Sequence, residues 1–129
     1  MNHYVYEITN KLNGRKYIGK RSCKCNIEDD KYMGSGYALR KAINKYGLDN
    51  FKKTIICICN TETEAYNKER DLIKKNHANT SNKYYNISEG GNGFTTYDAK
   101  KFYEENKDSR LRTIRSIQNK KIVLLNNLD

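Results

Sequence analysis

Proline is missing from all 129 residues, so no proline-rich linker divides the chain. Tryptophan is missing too, and phenylalanine is scarce at 3, which leaves tyrosine, at 11, as the working aromatic. No apolar run approaches the roughly 18 residues that a membrane span requires. The start, Met1-Asn2-His3-Tyr4, lacks the charged head and apolar stretch of a signal peptide. These absences lead to an expectation of a cytoplasmic protein, with no membrane partner and with reduced cysteines. Acidic residues are also short: 15 Asp and Glu stand against 25 Lys and Arg, for a formal net charge of +10. So large a surplus points to a polyanionic partner, nucleic acid first, against the blander reading of a basic soluble protein. His3 and His77 are the only histidines and are read as surface residues.

The four cysteines stand as Cys23/Cys25 and Cys57/Cys59. Cys-x-Cys is shorter than the usual zinc spacing of C-x(2–4)-C. Cys57 and Cys59 lie in the apolar run 55–59, where cysteine packs as a small hydrophobe. A zinc-bound structural module is therefore the weakest of the open readings.

A length of 129 residues suits one domain with a short appendage. Residues 3–9 alternate and are rich in β-branched and aromatic types, which predicts a strand. Asn13-Gly14 marks a turn, and 15–20 return as a second strand. If Thr9 opposes Gly14, then Tyr6 opposes Tyr17, and the two share a face of the sheet. Residues 21–36 read as loop. A helix over 37–46 follows, with Leu39, Ala42, Ile43 and Tyr46 at helical spacing and Gly47 as its stop. Arg40, Lys41 and Lys45 line its other side, as a solvated face or a DNA-binding one. Residues 51–59 predict a strand whose second half is apolar on both faces, hence a central, covered position. Thr61 and Glu64 form a capping box that opens a helix to about residue 76. Residues 84–87 are short and strand-like. Glu89-Gly90-Gly91-Asn92-Gly93 then closes a compact domain, 1–94. The tail, 95–129, is basic and reads as helical over 98–118, with Leu111, Ile114 and Ile117 three apart among arginines. It suits DNA contact and packing on the body equally. The body carries +7 and the tail +3.

One acid stands out. With Ala65 as zero and about 100° per residue, Tyr66 falls near 100°, Leu72 near −20° and Ile73 near 80°, and Glu69 falls near 40°, in the middle of that apolar stripe. A carboxylate facing the core is costly unless it is paired or holds a cation. A structural ion pair and a metal ligand both satisfy it.

Taken in order, these residues resemble the GIY-YIG nucleases, a family named for two short strings on its first two strands. Here the strings stand as Tyr4-Val5-Tyr6 and Tyr17-Ile18-Gly19, ten residues apart. The match continues through Gly19-Lys20-Arg21, the basic helix ending in Lys45-Tyr46-Gly47, the glutamate of Lys68-Glu69-Arg70, and Tyr85-Asn86. It covers about 3–94. Tyr32-Met33-Gly34-Ser35-Gly36 and the glycine-rich 89–93 are most similar to the phage-encoded, homing-endonuclease-type members.

The resemblance implies an α+β fold, a small three-stranded antiparallel sheet flanked by helices. It implies hydrolysis of phosphodiesters in double-stranded DNA with one divalent metal, Mg2+, and no small-molecule cofactor. By the same resemblance Tyr6 and Tyr17 line the active centre, Glu69 holds the metal, Lys20 and Arg21 stabilise the phosphate, and Asn86 supports the site. The chemistry agrees. Hydrolysis needs a positioned water, a charge sink and a hard cation on oxygen ligands. A phenol with an ordinary pKa near 10 needs cations beside it to serve as a base. The chain departs from the family pattern twice. Tyr4 stands where glycine is usual, and 22–33 has no arginine, which leaves Arg21 and Arg40 as candidates to clamp the phosphate. The rival reading is a nucleic-acid-binding protein that keeps the fold without its activity.

Overall fold

The computed structural model describes residues 1–87 and 121; the expected close of the domain near 94 and the tail helix lie outside them. Three strands, β1 (Asn2–Asn10), β2 (Lys16–Cys23) and β3 (Phe51–Cys59), form an antiparallel sheet in the order β2-β1-β3. Two helices, α1 (Tyr37–Tyr46) and α2 (Glu62–Lys75), cover it. This is the α+β architecture expected from the sequence.

The period of two in β1 sorts its side chains between two cores. Tyr4, Tyr6 and Ile8 join Leu39, Ala42 and Phe51 on the α1 side. Val5 joins Ile18, Ala65, Ile73 and Ala78 on the α2 side. Both faces of β1 are covered, and it is also the central strand of the sheet. Burying an aliphatic chain such as Ile8 or Leu39 contributes about 1.5–3 kcal/mol.

Two expectations need correction. The apolar half of β3 is not central: β3 is an edge strand, and Ile58 is 68% exposed. An apolar run does not say which strands lie beside it, and here it leaves Ile55 and Ile56 exposed as well. The hairpin register also differs. Thr9 pairs with Lys16 rather than Gly14, which sets Tyr6 opposite Gly19 and Tyr17 opposite Ile8. The cause is a wider turn wound around Asn10. The Asn10 carbonyl accepts from Gly14 N at 2.8 Å, its Oδ1 accepts from Leu12 N at 2.9 Å, and its own N–H donates to Arg15 O at 2.8 Å. Gly14 supplies the left-handed backbone, with φ +76°. The slip is two residues, and an even slip preserves faces. Tyr6 and Tyr17 therefore still share one.

α1 runs as its periodicity predicts, with Leu39 and Ala42 buried and Arg40, Lys41 and Lys45 exposed. At the start of α2, Thr61 Oγ1 accepts from Glu64 N at 3.1 Å, and Glu64 reaches back to Asn60 N at 3.1 Å. After α2 the chain returns along the free edge of β2. Lys16 N donates to Lys83 O at 3.0 Å, and Tyr85 N donates to Lys16 O at 2.7 Å.

Candidate active site

The second string ends in glycine because Tyr6 occupies the space above it. A β-carbon on Gly19 would lie 2.4 Å from the Tyr6 hydroxyl oxygen and 2.9 Å from the Tyr17 ring. Gly34 and Gly36 close the other side. A β-carbon on Gly36 would meet the Tyr17 ring at 2.6 Å, and Gly34 adopts φ +89° against Leu39. Three glycines thus let Tyr6 and Tyr17 stand together, their ring centroids 6.3 Å apart.

Glu69 comes to this pair from α2, which packs chiefly against β2 at the sheet's edge. It is half-buried between exposed Lys68 and Arg70, as its place on the stripe predicts. Its charge acts on both phenols. Burial pushes the Tyr6 hydroxyl well above the ordinary phenol range, with Tyr17, Tyr32 and Glu69 adding to the rise. Burial, then Glu69, then Tyr32 raise Tyr17 against the lowering effect of a hydrogen bond from the Gly36 backbone. Both phenols are thus neutral at ordinary pH, and either needs a cation beside it to ionise.

Asn86 is buried. Its Oδ1 accepts from Ile18 N at 2.9 Å and its Nδ2 donates to Ile18 O at 2.7 Å, so one side-chain amide completes the edge of β2 midway between Tyr17 and Gly19. Lys121, buried, ties a later part of the chain to the same place: its ammonium donates to the carbonyls of Ala78 and Asn86.

The two cations after the second string go to different places. Arg21 pairs with Tyr4 on the tyrosine face. There its Nε lies 3.2 Å from Asp30 Oδ2, and its guanidinium stacks 4.2 Å over the Tyr32 ring. Lys20 points to the α2 side, 3.6 Å from Glu62 and 4.1 Å over the Tyr66 ring. Tyr66 and Glu69 are three apart on one helix face, so Lys20 sits at the rim within a turn of Glu69. Arg40, Lys41 and Lys45 are exposed on α1, and Arg40 reaches back to donate from Nη1 to the Gly34 carbonyl at 3.5 Å, beside the tyrosine pair.

A second polar group adjoins the tyrosines and was not anticipated. Tyr4 Oη donates to Asp30 Oδ2 at 2.5 Å, and Lys53 Nζ donates to Tyr4 Oη at 2.5 Å and to Tyr32 O at 2.7 Å. The Lys53 ammonium also lies 5.2 Å over the Tyr6 ring. Burial alone would raise the Asp30 carboxyl, but hydrogen bonds from Tyr4, Tyr32 N and Arg21 outweigh it and hold the group below its usual range. One signal pointed to Lys53. It stands two residues from buried Phe51, so the period of two sets both on one side of β3.

The cysteines also depart from expectation. Cys23 and Cys25 form a disulfide rather than two thiols. Cys57 and Cys59 are free and lie with the α2-side core, so the two pairs do not converge on a four-thiolate zinc centre. Burial, with the Cys57 thiol beside it, pushes Cys59 up to about 11.

Among the described residues no helix is long and apolar enough to cross a membrane. The family profile described as "Putative endonuclease segE, GIY-YIG domain" matches residues 1–88. Among curated proteins, "Putative endonuclease segE" of Enterobacteria phage T4 is 46% identical over 93 residues, covering 72% of this chain and 44% of that protein. "Putative endonuclease segC" of the same phage is 42% identical over 90 residues, covering 70% and 44%. "Endonuclease segA", also of phage T4, is 36% identical over 91 residues, covering 70% and 40%. The chain thus spans less than half the length of these relatives. Among solved structures, a mutant of the catalytic domain of intron endonuclease I-TevI superposes with a TM-score of 0.55 at 23% identity, over 72% of this chain and all of that one.

Proposed function

The chain belongs to the GIY-YIG endonuclease family, and from that premise we propose that it hydrolyses phosphodiester bonds of double-stranded DNA with a single Mg2+ held by Glu69. The observation that supports this reading is the convergence of Tyr6, Tyr17 and Glu69 from three separate elements.

The donors at the tyrosine pair are oxygens, one carboxylate and two phenols, which suits a hard cation. When bound, such an ion neutralises phosphate charge and lowers the cost of ionising a neighbouring phenol. The chain's own residues do the rest. Tyr6 and Tyr17 orient the attacking water, and one of them takes its proton. The Gly36 backbone holds the Tyr17 oxygen. Arg21 and Lys20 offer charge to the phosphate from either side of the β2 edge. Asn86 keeps β2 straight between Tyr17 and Gly19. Residues 1–94 form the nuclease unit. The setting is the cytoplasm of a phage-infected cell, and the role is that of a homing-type endonuclease.

One observation favours the rival, a DNA-binding protein without activity: Arg21 is engaged with Asp30, and 22–33 offers no replacement. Incubation with supercoiled plasmid separates the two. Relaxed or linear product in Mg2+, none in EDTA, and none from Glu69→Gln, with DNA binding retained, supports the nuclease. A Gln variant that cleaves at the parent's rate removes the metal assignment. An inert parent that still binds DNA puts the rival ahead.

A further inference from the structure

We propose that Cys23, Cys25 and Asp30, once the disulfide is reduced, form a binding site for one thiophilic divalent cation of the zinc class. The site is distinct from the oxygen donors around Glu69 and does not rest on the nuclease reading.

The geometry carries the proposal. One sulfur from each cysteine and one carboxylate oxygen of Asp30 lie within 4.8 Å of one another. Tetrahedral zinc, with bonds of about 2.3 Å to sulfur and about 2.0–2.2 Å to oxygen, needs its ligand atoms roughly 3.5–3.8 Å apart. Side-chain rotation after the bridge opens covers the difference. The surroundings are also suitable. Cys23 is 6% exposed, the Asp30 side chain is 6% exposed and Cys25 is half-buried, so the donors line a sheltered edge.

Asp30 is already oriented. Tyr4 Oη and Arg21 Nε donate to its Oδ2 and Tyr32 N donates to its Oδ1, the outer-shell support that fixes a ligating carboxylate. Two thiolates and a carboxylate exceed the charge of a divalent ion by one, and the Arg21 and Lys53 cations beside Asp30 offset that excess. Stability does not explain the paired sulfurs. A bridge across one intervening residue restrains the unfolded chain little. The other thiol pair is a poorer candidate. Cys57 and Cys59 Sγ lie 3.8 Å apart, but among the described residues no third donor joins them.

The chemistry balances. A dithiol reductant transfers two electrons and two protons to the Cys23–Cys25 bond and becomes a disulfide itself. Zinc then displaces both thiol protons into the buffer and forms two bonds to sulfur and one to the Asp30 oxygen, leaving a fourth position for water.

The test uses the whole chain, reduced anaerobically and freed of reductant by gel filtration, then dialysed against zinc. The expected result is one zinc per chain with two protons released, and none in the oxidised chain. Cobalt in place of zinc should give the intense thiolate-to-metal band of a tetrahedral site. Cys25→Ser and Asp30→Asn should each weaken zinc more than tenfold, while Cys57→Ser leaves it unchanged. Cys25 is half-buried, so its serine variant keeps the test available if Cys23→Ser fails to fold. Three outcomes overturn the proposal: no zinc in the reduced parent, equal zinc in the oxidised chain, or loss of zinc in Cys57→Ser with Cys25→Ser unaffected.

Discussion

A β-carbon at Gly19 would sit 2.4 Å from the Tyr6 ring carbon Cζ, and Tyr6, 1% exposed, has nowhere to retreat. Gly19→Ala should therefore cost about 1–3 kcal/mol by overpacking, read as a lower melting temperature, and should cut plasmid cleavage by displacing Tyr6. A second expectation concerns Tyr17 alone. Tyr17→Phe removes a hydroxyl and keeps the ring, so cleavage should fall about a hundredfold or more, with DNA affinity nearly unchanged in a gel-shift assay. The third follows from charge. Glu69 raises the Tyr17 phenol, and removing a negative charge favours the phenolate. In Glu69→Gln without metal, Tyr17 should ionise at lower pH than in the parent, though burial still holds it above an exposed tyrosine. Ultraviolet titration of phenolate checks this against a Tyr17→Phe control. At this scale the sequence was legible where an angle could be computed. Glu69 fell inside an apolar stripe, and that marked it apart from the resemblance. Gly34 and Gly36 were legible as loop and as part of the resemblance but not in purpose, which depends on the Tyr17 ring, 17 and 19 residues earlier in the chain.

Elements whose ends carry chemical signals were readable to the residue. Gly47 stops α1, and Thr61 with Glu64 starts α2. The hairpin was harder. Asn13-Gly14 announced a turn, but whether Thr9 met Gly14 or Lys16 depended on Asn10, whose side chain is buried and donates to Tyr85 Oη at 3.1 Å. That partner lies 75 residues away, beyond any local pattern. The place of β3 at the edge was hidden for the same reason, since its residues say which faces are apolar and not which strand lies beside them. Asn86 joins sequence-distant parts most directly. Truncation by Asn86→Ala leaves the Ile18 N–H and C=O without their partner, at a cost on the order of 2 kcal/mol or more. Denaturant unfolding should show that loss in full. Cleavage should fall beyond what the unfolded fraction explains, because β2 positions Tyr17.

The charge of the whole molecule bears on binding rather than on the fold. A formal net charge of +10 is spread over body and tail, and Arg40, Lys41 and Lys45 form an exposed row on α1 that makes no ion pair among the described residues. Such a row is either a solvated face or a phosphate-contacting one, and salt separates the two. Each phosphate neutralised releases counterions, so the logarithm of the association constant falls with the logarithm of salt at about −0.9 per contact. If all three residues touch phosphate, replacing them with glutamine should flatten that slope by roughly 2.7 units. Affinity should weaken about equally for unrelated duplex sequences, since phosphate contacts carry no sequence information. Fluorescence anisotropy with two unrelated duplexes across a salt series measures both quantities. A triple variant with the parent's slope would return α1 to the status of a solvated face and move the DNA contacts to the β2 rim, where Lys20 and Arg21 flank the tyrosines. A slope that flattens for one duplex and not the other would instead point to base contacts from α1, which a row of exposed cations on a helix face can make only from within a groove.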